Sequence, residues 1–319
     1  MVVFQPFLVY KKQYIKKRRN KKMKEDIQKL LDHKPTSSFL VAIDSDGCAF
    51  DTMELKQKEC FTPNTIKYWN LQAISKYARE ACEFVNLYSK WRGANRFPAL
   101  IKVFDLLSDW DKVKARKVQI PHTPNLRKWI ETETKLGNPA LEAYCKEHPE
   151  QEDMQITLQW SKAVNKTVED IVKGGLPPFP YVEECLQKCQ GNADIMVCSQ
   201  TPTEALVREW QEQDLAKYVF VICGQEMGTK AEHIKFASEN RYEKNHILMI
   251  GDAYGDLKAA RANNALFFPI NPGHEEESWQ RLYEEGLDRF FNGTYEGEYE
   301  ASLIKEFDKY LPETPPWKR

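Results

Sequence analysis

The 319-residue chain balances 46 Lys and Arg against 47 Asp and Glu, with 42% hydrophobic and 29% charged residues. That is a globular rather than a disordered composition, long enough for one large domain or two modest ones around a sizeable core. No run approaches the roughly 18 apolar residues that a membrane span requires, so no membrane partner is expected.

The near-neutral total hides an asymmetry. Residues 1–22 hold eight Lys or Arg and no acid, so the remainder carries 38 basic against 47 acidic residues. A basic run can bind nucleic acid or serve as a nuclear address. Here its apolar part precedes the charges, unlike a secretory signal. The run reads as a disordered tail ahead of Met23, with no nucleic-acid partner expected. MKEDIQKLLDHK then opens as an amphipathic helix.

FLVAI (39–43) reads as a buried strand that runs straight into Asp44, Asp46 and Asp51. Residues 54–178 give almost no strand signal. Segments such as TIKYWNLQAISKYAREACEFVNLYSKW, PALIKVFDLLSDW and DMQITLQWSKAVNKTVEDIVKG place apolar residues at helical spacing, and GGLPPFPY closes the stretch. Strand and helix then alternate: ADIMVCS (193–199), YVFVICG (218–224), HILMIG (246–251) and ALFFPI (265–270) are strands separated by helical segments. The expected fold is α/β, a Rossmann-like parallel sheet covered on both faces, plus an all-helical cap. The expected boundaries are core 23–53 and 179–319, cap 54–178. Eight scattered cysteines, several inside apolar runs, fit reduced thiols in a cytoplasmic protein.

Ligands of open parallel sheets bind at the carboxyl ends of the strands. Reactive groups gather at four such positions: Asp44 and Asp46; Ser199 with Thr201; Lys230 after Gly228 and Thr229; and Asp252 with Asp256 in GDAYGD. Each alone has a bland reading, with Thr201 for instance a good cap for a helix starting at Pro202. Their conjunction fits attack on a phosphate monoester, whose dianion repels a carboxylate. A divalent cation on Asp44, Asp252 and the Asp46 carbonyl would neutralise both partners. Lys230 and Ser199 would hold the phosphoryl oxygens. Asp46 would protonate the leaving oxygen and later deprotonate water.

Asp44-Ser45-Asp46-Gly47, Ser199, Lys230 and Gly251-Asp252 through Asp256 resemble the four motifs of the haloacid dehalogenase superfamily of phosphohydrolases. The resemblance covers about 36–54 and 178–275. It implies Mg²⁺ dependence, an aspartyl-phosphate intermediate on Asp44, and metal ligation by Asp44, Asp46, Asp252 and Asp256. The insertion after the first motif matches the position of the helical cap in phosphoglycolate phosphatase-like members. Cys48 stands where the family usually has Thr, and the insertion is larger than is common.

Within that insertion, SKWRGANRFPALIKVF is similar to the substrate-specificity loop of capped relatives, including β-phosphoglucomutase-like enzymes. It makes Arg92, Asn95 and Arg96, with Gly47 and Thr201 in the core, the expected substrate contacts; Pro98 is expected to start the second helix of the loop. Gly174 and Gly175 are the expected hinge. The function expected is a phosphatase for a small phosphorylated metabolite, with a phosphomutase as the alternative. A non-enzymatic binding protein on the same fold is the alternative from another class. A dehalogenase is disfavoured, because a halide leaving group needs no acid such as Asp46. Substrate identity and oligomeric state are not legible.

Overall fold

The computed structural model describes residues 27–172 and 175–318. The basic run 1–22 and the hinge candidate Gly174 therefore lie outside the described residues.

Five parallel strands form one sheet: β1 (Phe39–Ile43), β2 (Ala193–Cys198), β3 (Val221–Cys223), β4 (Ile247–Gly251) and β5 (Leu266–Pro269), in spatial order β3-β2-β1-β4-β5. β1 is central, with Val41 opposite Ile195 on one side and Leu248 on the other. Because side chains alternate along a strand, Val41 and Ile43 face one apolar layer while Leu40 and Ala42 face the other. Both faces are covered by helices, which explains why these strands are near-continuous apolar runs. The chain leaves β1 toward β2 and returns to its other side as β4. The switch in direction thus falls between β1 and β4, where a crevice opens at the strand ends.

The helical stretch builds its own core. Helices Thr62–Tyr68, Ser75–Asn86, Arg96–Ser108, Pro124–Thr132, Asn138–Glu147 and Glu152–Ile171 bury Trp69, Phe97, Phe104, Trp129 and Trp160 in one cluster separate from those of the sheet. It departs from the core at Thr52, and Phe179 N–H returns to the Ala49 carbonyl at 3.0 Å. All eight cysteines are buried and none forms a disulfide. No helix among the described residues is long and apolar enough to cross a membrane.

Two differences from expectation have physical causes. β3 is shorter than YVFVICG, since residues 216–218 form a 3₁₀ turn and only three positions pair with β2 at the sheet edge. Beyond β5, Glu275–Arg281, Leu287–Phe291 and Glu298–Tyr310 complete the layers with Trp279, Phe290 and Phe307.

Ile250, in β4 beside the crevice, is fully packed at 1% exposure. Ile250→Ala should cost about 2–5 kcal/mol of stability, read as a lowered urea midpoint at unchanged slope.

Candidate functional site

At the end of β1 the Asp44 N–H bonds the Ile250 carbonyl at 3.0 Å, carrying the ladder one residue past the strand. This seats Asp44 beside Asp252, the residue that follows β4. Asp44 Oδ1 accepts from Ser45 N–H at 2.7 Å, and Oδ2 accepts from Lys230 Nζ at 2.5 Å. The same ammonium donates to Asp256 Oδ1 at 2.5 Å. Asp256 Oδ2 accepts from the Asp252 and Ala253 N–H groups, fixing the start of helix Tyr254–Ala262. Gly251 is obligatory here, since a Cβ would lie 2.4 Å from that of Asp256.

Lys230 reaches this corner from the first position of helix Lys230–Ser238. Gly228, at φ 126°, turns the chain, and Thr229 caps the helix in a reciprocal box with Glu232. A cation at a helix N-terminus opposes the helix dipole. Its placement answers to the carboxylates rather than to helix stability.

Asp44, Asp252 and Asp256 are all buried, and their ligand oxygens lie within 4.8 Å of one another. Burial pushes Asp44 up to about 6 against the pull of Lys230, and does the same to Asp256. Burial also raises Asp252, opposed by Arg92. For Lys230, burial opposes the charge, but Asp256 and Asp44 outweigh it and hold the ammonium above the ordinary lysine range.

The fourth wall comes from the helical body. Arg92 is 3% exposed in its side chain and donates from Nε to Asp252 Oδ2 at 2.6 Å. Its Nη1 bonds the Leu87 carbonyl and its Nη2 the Gly47 carbonyl. Gly47 has φ 78°, and a Cβ there would sit 2.5 Å from Arg92 Nη2. Both the left-handed backbone and the guanidinium exclude any side chain. Arg92, an expected substrate contact, lies on a carboxylate of the acidic corner.

Asp46 is turned away from that corner. Its carboxylate accepts from Thr52 Oγ1 at 2.5 Å, Lys56 Nζ at 2.7 Å and Thr201 Oγ1 at 2.7 Å. Burial works to raise its pKa, but these partners, Lys56 first, outweigh it and hold the carboxyl below the usual range. Thr201 is therefore not a helix cap. The following helix begins at Thr203, preceded by Pro202 and without a side-chain cap. Ser199 directly follows β2, its N–H on the Cys223 carbonyl and its Oγ accepting from Thr201 N–H. Asp51 is exposed and outside the cluster.

The remaining loop residues do separate work. Asn95 caps helix Arg96–Ser108 through Phe97 N–H, so that helix starts at Arg96 and not at Pro98. Arg96 donates to the Ser161 carbonyl and hydroxyl and to Asn165 Oδ1, over the Phe61 ring. None of these partners is an acid, and burial lowers its pKa to about 10. Arg92, Arg96, Lys56, Lys230, Ser199 and Asp252 all line a cleft of 1850 Å³ between helical body and sheet.

Sequence reasoning missed Lys56, Thr52 and Glu209. Thr52 and Lys56 are four residues apart, a spacing that puts both on one helix face toward Asp46. Glu209 Oε2 accepts from Ser45 Oγ at 3.2 Å, and Trp210 Nε1 donates to the same hydroxyl at 3.0 Å. Nothing local in EALVREWQEQ signals that contact.

The fold and this corner define an α/β protein with an acidic cluster at the switch point of a parallel sheet. Residues 123–269 match the family model described as haloacid dehalogenase-like hydrolase, which bears out the resemblance carried by the motifs. The match spans just under half of the chain and leaves out β1 and Asp44. No curated protein matches the sequence significantly. Among solved structures, a haloacid dehalogenase-like family hydrolase from Streptococcus pneumoniae is similar at 15% identity and TM-score 0.43, covering 78% of this chain and 92% of its own. A protein assigned as a phosphoglycolate phosphatase from Lactobacillus delbrueckii gives 13% identity and TM-score 0.46, covering 80% and 99%. A phosphonoacetaldehyde hydrolase-like protein from Oleispira antarctica gives 9% and 0.46, covering 86% and 87%. At these values the structural likenesses carry no functional argument.

Burial, followed by the nearby Asp46 charge, raises Glu209 from 4.5 to about 7. The folded chain thus holds this proton more tightly than the unfolded one. The group's stability contribution is complete below pH 4.5 and lost as pH rises through about 7. Glu209→Gln, which cannot ionise, should gain in Tm relative to the parent between pH 5 and 8. A Tm difference independent of pH would show that Glu209 ionises freely in the fold.

Proposed function

We propose that this haloacid dehalogenase-like chain is a divalent-cation-dependent phosphatase for a small phosphorylated metabolite, with Asp44 as nucleophile. The observation that carries this reading is the corner itself. Three buried carboxylates face two cations, Lys230 and Arg92, and Asp252 Oδ1 is buried without a partner. An orphaned buried carboxylate oxygen is costly unless something compensates it, and an all-oxygen donor set suits a hard cation such as Mg²⁺. Asp44, Asp252 and Asp256 would hold it, with the Asp46 carbonyl as a further donor. Bound there, it would neutralise charge on the carboxylates and on an entering phosphoryl group.

The chain's own groups divide the rest of the chemistry. Lys230 holds Asp44 by one oxygen and would steady the phosphoryl oxygens beside it. Ser199, buried at the end of β2, supplies a hydroxyl on the other flank. Asp44 would attack phosphorus and expel the alcohol, giving an acyl phosphate on its own carboxylate. Asp46 as it stands is ionised and tied to Lys56, the form required to take a proton from water in the second half-reaction. To protonate a leaving oxygen in the first half it must first take up a proton from solvent, release Lys56, Thr52 and Thr201, and turn to the substrate. Arg96, a cation with no acid against it, is suited to a second anionic or hydroxyl-rich part of the substrate.

Asp44→Asn should fold normally and lose phosphate release by a factor on the order of 10⁴ or more. Substantial steady-state release by purified variant would remove Asp44 from the nucleophile role. A panel of phosphorylated metabolites, scored for phosphate release and for isomer interconversion, separates hydrolysis from mutase chemistry.

Arg96→Ala should lower kcat/KM for the best substrate of that panel by about 10- to 150-fold, the loss of one charge-assisted hydrogen bond. A small aryl phosphate should be nearly unaffected. Equal losses on both would reduce Arg96 to a residue that merely joins the helices it touches.

A further inference from the structure

The segment after helix Glu298–Tyr310 has no part in the chemistry above, yet it crosses from one core to the other. Leu311 is fully buried with Phe307 in the layer under the sheet. Trp317, six residues on, packs instead in the cluster of the helical body. Its indole stacks on Trp110 with centroids 4.0 Å apart and planes 6° from parallel, and meets Phe84 edge-on at 5.6 Å. Lys318 pairs with Asp109, and the Pro312 carbonyl accepts from Lys90 N–H at 3.4 Å. The indole N–H is buried without a partner, so ring packing and not a hydrogen bond holds Trp317 in place.

Six residues span at most about 20 Å even when fully extended. Residues 312–318 are thus a third tether between sheet and helical body, added to the connections at 50–52 and 175–179. Where the tether lands is informative. Phe84 lies in the helix before the loop 89–95, and Trp110 follows the helix after it. Lys90 is in the loop itself. The tether touches the loop at Lys90 and the two helices that the loop joins at Phe84 and Trp110, and the loop carries Arg92 to Asp252. Within the loop Arg92 N–H bonds the Ser89 carbonyl and Trp91 N–H the Ser89 hydroxyl, so a hold on one end is passed to the other.

We infer that residues 312–318 form a strap that keeps the helical body closed on the sheet and seats Arg92 on Asp252, with Trp317 as its positioning residue. A lid carried on two linkers alone can rotate freely about them. This one must first unstack Trp317 from Trp110. An aromatic pair of this kind shifts a closing equilibrium by roughly 2- to 12-fold, enough to bias the lid without locking it. The importance of the Arg92 seat rests on the phosphatase reading; the closing itself does not.

The test is a distance measurement needing no substrate, cation or turnover. All native cysteines are buried, so spin labels at Lys128→Cys on the helical body and Glu239→Cys on the sheet side report their separation by pulsed dipolar spectroscopy. The parent should give one narrow distribution. Trp317→Ala, with its Tm and circular dichroism checked, should add a longer-distance population raised by roughly 2- to 12-fold. Trp317→Phe, which keeps a stacked ring, should restore most of the narrow distribution. Arg92→Gln should broaden it in the same direction, since the strap and the guanidinium close one lid. An unchanged distribution in Trp317→Ala would overturn the strap, as would equal broadening by Ala and Phe. Neither result bears on whether Asp44 is a nucleophile.

Discussion

Three carboxylates buried at one end of a parallel sheet are the constraint from which the rest of this structure follows. Water cannot solvate Asp44, Asp252 and Asp256 where they stand, so their charge has to be met from within the protein. Lys230 meets two of them with one ammonium, Arg92 meets the third, and Asp252 Oδ1 is still without a partner. Backbone features that are otherwise odd become intelligible against this need. Gly47 is a glycine because Arg92 passes over it, and Gly251 because Asp256 folds back on it. Thr229 and Glu232 build a strong cap beneath a lysine that the helix dipole disfavours.

The parts legible from sequence were those in which chemistry and local pattern coincide. FLVAI, IMVC and ILMI are apolar runs that end abruptly in Asp44, Ser199 and Asp252, and a buried strand that ends in a polar side chain marks a site edge. Lys230 was legible because Gly228 and Thr229 announce a helix start just before it. What stayed hidden depends on pairs distant in sequence. Arg92 reads as a substrate contact of its loop, and its bond to Asp252, 160 residues away, leaves no trace in the local sequence. Lys56, inside the π-helical turn Lys56–Phe61, looks like surface on any wheel. The last helices, beyond β5, carry apolar residues but no polar landmark by which to orient them. Thr201 shows the converse failure: a good local motif for a helix cap was overridden by a tertiary bond to Asp46.

The helical body does more than roof the cleft. It supplies Arg92 to one end of the acidic corner and, from its first turns, Lys56 to Asp46 at the other. Each is a side chain whose charge compensates a carboxylate of the sheet, so the two bodies are joined by electrostatics where they are not joined by apolar packing. A carboxylate losing its cation as the body moves away is left to water or to an incoming ligand. Opening of the cleft and binding within it are thereby linked: a cation or an anionic substrate entering the corner changes what Arg92 and Lys56 gain by staying. Any ligand that shifts this balance must do so through its different affinity for the open and closed arrangements. The residues that set that difference are the same ones that hold the acidic corner together, so the chemistry and the motion of this chain cannot be altered independently at Arg92 or Lys56. They can be altered independently at Trp317, which touches neither carboxylate nor cleft.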